Sequence, residues 1–598
     1  MPNVTTSYAD LIKEAFISPI RNVTVIDDEY PTLLSLIESG REGADIYQEK
    51  KIDSANIDRL KNIIEMCHSR YRWSIDVFDG KTPAFGAQDS VPPHIHHSDL
   101  IVLDYHLDGN GPEDDGIRAR NIIQSLDQNN HYNLTLVHTK GYSDNLEKVF
   151  TDILTDFIAI DSSHPLWPEA EIVEKMNEWL DDNEDGEGHS WITNNISLLS
   201  IFKVCISTTP ARLMAPRNPA CPLHDFASEI QLFSRTTGLR ETDIVRWKLA
   251  DQLKHYDIQP KAGTRSDLAW YWDENTNYIS TGKTFISVIR KSAAAPDEEL
   301  IGSLSEALIH YNASPMQLLM AKMRYELDER GIGQASEIIS NRYAQAGWLY
   351  HLLQNGQSDF AHDKAVNLHW EQLANASRNE LRSFSKRILE AAKVMFPSEE
   401  KKFVEHFFRE CISKKELSLG HLNAYSCSMS VRNNHLVTGT IIKIEGEMWV
   451  CLTPACDLVP GQKNSQWQSR IGDDYLVFRA VRFIPVKLNT ANENANLNDY
   501  IYLNIDGTPS AFWIGSDNPH WDTFYAADLG RFTDENSLRL FSPRIHNQES
   551  GPVLKMKPLD ANAVSELRYE YALNLLHKFG VSQTRVGLDF MDQNSMWV

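Results

Sequence analysis

The stretch Asp99-Leu-Ile-Val-Leu-Asp104-Tyr-His-Leu107 is a short apolar run that delivers one carboxylate, Asp104, at its end. It has the pattern of a buried strand with an acid at its tip. Upstream, Val23-Thr-Val-Ile-Asp27-Asp28-Glu29 repeats this with two acids, where a strand hands over to a helix. Open α/β sheets place their chemistry in the crevice beyond the carboxyl ends of parallel strands. Asp27, Asp28 and Asp104 are therefore expected to converge there.

The surrounding chain reads as alternating strands and helices. Val23 to Asp27 is followed by a helical stretch from near Tyr30 and Pro31, an inserted polar loop from Gly40 to Asp53, and a helical pattern from Ile57 to Cys67. Trp73 to Phe78 is a second strand, and Asp79 to Ser98 is irregular. Its His94, His96 and His97 have no cysteine or acid at zinc-ligand spacing and read as a solvated loop. Beyond Asp104 come a loop from Asp108 to Gly116 and a helix from Ile117 to Leu126. A fourth strand, Leu134 to His138, ends in Thr139. A helix from Asn145 to about Leu154, a fifth strand from Phe157 to Ile160 and a helix around Glu169 to Leu180 complete the pattern. Such alternation predicts a parallel sheet covered on both faces.

At 598 residues several domains are expected. The net charge of −24, from 58 Lys and Arg against 82 Asp and Glu, argues against attachment to nucleic acid or an anionic membrane. Seven scattered cysteines suit a reducing compartment. The amino terminus lacks a signal-peptide pattern, and no apolar run approaches the ~20 residues of a membrane span. A cytoplasmic, soluble chain is expected.

The residues Asp27 and Asp28 after the first strand, Asp104 after the third and Thr139 after the fourth resemble the receiver domain of two-component response regulators. The resemblance implies a flavodoxin-like α/β fold with a five-stranded parallel sheet over residues 1–185. It implies that Asp104 accepts a phosphoryl group from a sensor histidine kinase. Asp27, Asp28, Asp104 and the backbone carbonyl of His106 would hold Mg²⁺, and the Thr139 hydroxyl would bond a phosphoryl oxygen. The chemistry agrees: a carboxylate is a weak nucleophile towards an anionic phosphoryl group, and a hard divalent cation brings the two together. Without metal the clustered acids repel, so at least one should have a raised pKa. One departure stands out. Receivers place a Lys, followed by Pro, just after the fifth strand, whereas Asp161-Ser-Ser-His-Pro165 has none. Lys140, next to Thr139, is the substitute, and weak coupling of phosphorylation to output is the expected consequence.

Residues 186–420 read as a mostly helical domain set off by the acidic stretch Asp181 to Gly188. Ser314-Pro-Met-Gln317 has a helix-start pattern, and a second capping box is read at Ser377 with Glu380. Met316, Leu319, Met320, Met323 and Leu327 form a stripe expected to face a core. Thr281-Gly-Lys-Thr284 ends like a phosphate-binding loop, but Asn277 stands where the upstream Gly is needed, so that reading is rejected. Residues 421–598 read as a β-rich, barrel-like domain closed by a helix marked by Val564, Leu567, Tyr571 and Leu575. Its one notable motif, Cys451-Leu-Thr-Pro-Ala-Cys456-Asp457, is read as a small buried thiol in a turn, with a nucleophile or metal ligand as the alternative.

A receiver followed by a long helical and β extension with this Pro-Ala-Cys-Asp turn is similar to the large regulators of bacterial anti-phage two-component systems called Detocs. That resemblance implies a non-enzymatic buffering regulator that absorbs phosphoryl groups beside a second receiver-effector protein. The alternatives are an output regulator whose extension is the effector and a phosphate-independent scaffold. A homodimer is a further partner arrangement considered.

Overall fold

The computed structural model describes residues 6–42, 54–80, 95–109, 114–142, 145–183, 189–207, 209–261, 267–355, 359–460, 469–515, 519–533, 535–548 and 551–584. Gly40–Asp53, Asp79–Ser98 and the acidic stretch 181–188 lie partly outside them, and His94 lies wholly outside. The chain divides into two compact units, Met1–Tyr325 and Glu326–Val598. The boundary expected near 185 falls inside the first and the one near 420 inside the second. No helix among the described residues is long and apolar enough to cross a membrane.

The first unit is built on a seven-stranded sheet ordered β2-β1-β3-β4-β7-β6-β5. Its strands are β1 (Asn22–Ile26), β2 (Ser74–Phe78), β3 (Leu100–Leu103), β4 (Asn133–Thr139), β5 (Ala269–Tyr271), β6 (Tyr278–Ser280) and β7 (Thr284–Arg290). Five of them, β2-β1-β3-β4-β7, run parallel, while β5 and β6 add an antiparallel extension. The five-stranded parallel sheet is thus present within a larger mixed one. Strands β3, β4 and nearly all of β7 are buried, as their β-branched and aliphatic runs require when both sheet faces are covered. Helices α1 (Tyr8–Phe16), α2 (Leu33–Glu42), α3 (Ser54–Glu65), α4 (Ile117–Gln128) and α5 (Leu146–Phe157) precede β5 and β6 in the chain.

The predicted fifth strand is a correction. Phe157 is the last residue of α5, whose buried face is Leu146, Val149, Phe150, Ile153, Leu154 and Phe157. That face has the three-and-four spacing of a helix, and each buried side chain contributes about 1.5–3 kcal/mol. Residues 158–160 form no strand. The parallel neighbour of β4 is β7, paired from Asn133↔Thr284 to Thr139↔Arg290. Between α5 and β7 the chain makes a mostly helical insertion, with helices such as Ala170–Asp182, Ala227–Thr237 and Glu241–His255. Its Leu166, Trp191, Phe202, Phe233 and Leu249 belong to the same buried cluster as Leu103, Val137 and Phe150. The insertion is part of the core, which is why the acidic stretch after Asp181 does not end a domain.

Residues 281–284 are the turn joining β6 to β7, with Gly282 at φ +81°, a conformation that favours glycine. Asn277 braces β7: its Nδ2 donates to Val288 O, and its Oδ1 accepts the Val288 N–H, each at 2.8 Å. The helix start at Ser314 is present as read. The Ser314 N–H donates to Gln317 Oε1 at 2.8 Å, and the Gln317 N–H to Ser314 Oγ at 3.4 Å. The methionine stripe is not core-facing, because Met316 and Met320 are exposed while Leu318 and Lys322 are buried. Ser377 lies inside the helix Asp359–Met395 and caps nothing.

The second unit has a long helical segment followed by a six-stranded closed barrel. Its strands β9 (Thr440–Ile444), β10 (Glu447–Cys451), β11 (Leu476–Arg482), β15 (Trp521–Ala526), β16 (Ser537–Gln548) and β17 (Gly551–Leu567) are ordered β16-β15-β11-β10-β9-β17, and β16 pairs with β17 to close the ring. The short β8 (Ser428–Met429) pairs with β17, and β12 (Ile484–Val486), β13 (Tyr500–Ile505) and β14 (Thr508–Trp513) form a separate small sheet. The turns Glu445-Gly446 and Asp506-Gly507 have positive φ at both residues, as a tight hairpin demands. Tyr571 and Leu575 lie on the closing helix Tyr569–Gln583, whereas Val564 and Leu567 belong to β17.

Candidate phosphoacceptor site

Strands β1 and β3 are adjacent, and the chain leaves them in opposite directions across the sheet. This switch point is where a crevice opens at the carboxyl ends of the strands. Asp27 and Asp28 follow β1 there and Asp104 follows β3. The backbone holds both turns: the Asp104 N–H donates to Ile26 O at 2.8 Å, and the Asp27 N–H to Phe78 O at 3.0 Å. Among the described residues, these three acids are the one group of His, Cys, Asp and Glu side chains able to share a metal ion. Their nearest oxygens lie within 4.8 Å of one another, with Asp27 and Asp104 buried.

The lysine missing from residues 161–165 stands at the end of the true fifth parallel strand. Lys291 directly follows β7, and its N–H donates to Thr139 O at 2.9 Å, which places it at the mouth of the crevice. Its Nζ is 2.8 Å from Asp27 Oδ2 and 3.1 Å from Asp104 Oδ2, with the side chain only 3% exposed. Lys140 does not fill this place. It is about half exposed and pairs with Glu29 at 3.3 Å. The signal that could have found Lys291 was Thr-Phe-Ile-Ser-Val-Ile-Arg-Lys291, another apolar run ending in a charge.

The other predicted residues fall around this cluster. Thr139 is fully buried, and its Oγ1 accepts the Gly141 N–H at 3.1 Å, which orients a hydroxyl whose own O–H is a donor. The His106 side chain packs edge-on against Tyr105 and Tyr142, with Nδ1 3.8 Å from Asp114. The Tyr30 hydroxyl is buried without a hydrogen-bond partner, and the Lys291 Nζ lies 6.0 Å from its ring centroid.

Burial pushes the Asp104 carboxyl up to about 7, and the neighbouring Asp27 and Asp28 add to this against the pull of Lys291. The raised acid expected from mutual repulsion is therefore Asp104, with loss of solvent as the larger cause. Lys291 is raised in turn, because the two carboxylates more than offset its burial.

The residues fit a hard divalent cation. All donors are carboxylate oxygens, and with one ammonium among three carboxylates the ionised cluster carries two uncompensated negative charges. Asp27, Asp28 and Asp104 would hold the ion.

The Cys456 motif is different. Cys456 is exposed, contrary to the buried thiol expected, while Cys451 is the buried one. The Cys456 Sγ lies 3.6 Å from Asp457 Oδ1 in a single 3-10 turn, Ala455–Asp457. It opens onto a cavity of about 420 Å³ that Thr453, Arg479, Phe478 and Phe579 also line. His520 packs edge-on against Trp449, and His435 Nδ1 bonds Asn434 Oδ1.

No curated protein and no solved structure matches the chain. The family model for the response receiver domain matches residues 19–182. That segment holds Asp27, Asp28, Asp104 and Thr139 and ends before β7, so the chain carries a receiver domain whose sheet is completed, and whose lysine is supplied, from beyond the matched residues.

Proposed function

We propose that this chain is a response regulator in which Asp104 takes a phosphoryl group from a phosphohistidine of a sensor histidine kinase. In that step the donor N–P bond breaks, the imidazole nitrogen keeps its electron pair, and an O–P bond forms to Asp104. The observation that carries the reading is Lys291, within 3.1 Å of Asp104 and 2.8 Å of Asp27.

Each residue has a part in this reading. Asp104 is the nucleophile, and Lys291 favours its ionised form against burial. The Lys291 ammonium is placed to pair with the incoming phosphoryl oxygens, and Thr139 offers its O–H from the adjacent strand. Bound Mg²⁺ would neutralise the anionic partners as they approach.

The finer part of the proposal is that the chain works beside a second receiver protein in an anti-phage two-component system and draws phosphoryl groups away from it. The support is the resemblance of the whole arrangement to the Detocs regulators. Lys291 removes the ground for the weak coupling to output expected from a missing lysine, and it makes phosphorylation-dependent output by the extension the second reading.

Labelled phosphate supplied by the partner kinase tests the site. Wild type is expected to become labelled, and Asp104→Asn to lose at least ~10³-fold in rate, as removal of a nucleophile demands. Equal labelling of the two proteins would reject Asp104. With the second receiver present, a sink lowers that protein's label in proportion to its own, whereas an output regulator need not.

A further inference from the structure

Ser292, the residue after Lys291, is held from several sides. Its N–H donates to Glu299 Oε1 at 3.1 Å and its Oγ to Glu299 Oε2 at 3.0 Å, while its carbonyl accepts from Arg59 of α3. The same Glu299 carboxylate meets Nε2 of His138, the residue before Thr139. Both His138 and Glu299 are almost fully buried.

Glu299 sits in a π-helix, Asp297–Gly302, that is itself anchored. Asp297 pairs with Arg70 at 2.8 Å and accepts the Tyr71 hydroxyl, both from a second π-helix, Met66–Tyr71. Such windings are uncommon and recur at functional sites. The carboxylate is held below its ordinary range, because the hydrogen bonds from His138 and Ser292 outweigh burial.

We infer that Glu299 is a positioning residue for phosphoryl transfer, a buried clamp that fixes the Lys291-Ser292 turn to the His138-Thr139 end of β4. This deepens the receiver reading and rests on it. The Lys291 Nζ reaches Asp27 and Asp104 from the end of a long flexible side chain. Its backbone must therefore be fixed for the ammonium to stay aligned, and the β4–β7 ladder ends at the Lys291 N–H to Thr139 O bond. Glu299 carries that fixation one residue past the ladder on the β7 side, at Ser292, and ties it to His138 inside the last pairs of β4. It contacts none of the three acids, so it acts through the placement of Lys291.

The test uses the full-length chain with acetyl phosphate as donor and follows the mass of the phosphorylated protein against Mg²⁺ concentration. Glu299→Gln is expected to slow acceptance about tenfold, since small misplacements of a catalytic group cost one to two orders of magnitude. The Mg²⁺ concentration for half-maximal rate should stay within about twofold, because the three acids that set it are untouched. In a Lys291→Met background the same substitution should add less than about twofold, as expected when two residues act as one unit. Ser292→Ala, which removes one bond to Glu299, should show a smaller loss with the same unchanged Mg²⁺ dependence.

A Glu299→Gln protein at the wild-type rate, or one whose full loss persists beside Lys291→Met, would overturn the clamp while leaving the receiver reading intact. A wild-type protein that takes no phosphoryl group would overturn the receiver reading, and the clamp with it.

Discussion

Asp104 and Cys456 both follow a β-strand, and the sequence reads the first as a phosphoacceptor and the second as a thiol in a turn, with a nucleophile as its alternative. Asp104 has Asp27 and Lys291 within reach, brought by two further strands, and is nearly sealed from solvent. Cys456 has the adjacent Asp457 in one exposed turn. The difference is one of convergence: a parallel sheet brings charged residues distant in sequence to one edge, whereas the Cys456 thiol bonds the carboxylate next to it in sequence. Burial then raises the cost of each charge and makes its partners consequential. An exposed thiol beside a hydrated carboxylate has little to gain from either.

The contrast breaks first at Lys291. Lys291→Met should slow phosphoryl acceptance about 10²-fold, the usual cost of removing a preorganised charge from a dry site. Lys140→Met should stay within about twofold, because an exposed pair contributes little. Equal effects of the two substitutions, measured with the same labelled donor, would mean that the ladder position of Lys291 is without consequence.

A smaller effect tests the burial of Asp104. Its pKa is raised from an ordinary 3.8 to about 7, so the folded protein keeps a proton that the unfolded chain releases between those values. The contribution of this group to stability is complete below about pH 4 and is lost as pH rises through about 7. Asp104→Asn in EDTA should therefore melt roughly 2–6 °C above wild type at pH 8, and the gap should close by pH 4. Calorimetry giving a variant less stable than wild type at pH 8 without metal would show that Lys291 fully compensates the buried acid. The smallest expected effect is at the other site. Cys456→Ala should leave both phosphoryl acceptance and melting within error, and a tenfold change in acceptance would make the turn part of the mechanism.

The acids of this site were legible because each is announced locally. An apolar run followed by Asp marks a buried strand and its mouth within nine residues, and Thr139 follows the same pattern at β4. Lys291 carried the same local signal but stood far from where the alternation placed a fifth strand, and Phe157 to Ile160 offered an apolar run nearer at hand. Only packing distinguishes the two. Phe157 completes a helical face with Ile153 and Leu154, whereas Phe285 to Ile289 are buried throughout between β4 and β6. The clamp at Glu299 was hidden for a related reason. Nothing in Asp-Glu-Glu-Leu-Ile-Gly302 says which acid turns inward, because that depends on a histidine in another strand. The hairpins β9-β10 and β13-β14 of the second unit were readable from their turns, whose Gly residues carry their own conformational signature.

The insertion between α5 and β7 also sets an order of events during synthesis. At elongation rates of roughly 5–20 residues per second, the ribosome finishes the acid-bearing strands many seconds before it reaches Lys291. Through that interval the nascent chain has its carboxylates without their countercharge, and the long loop must close before β7 can pair. Premature termination anywhere in residues 158–283 would leave a fragment that bears the receiver signature and cannot bring Lys291 to the acids.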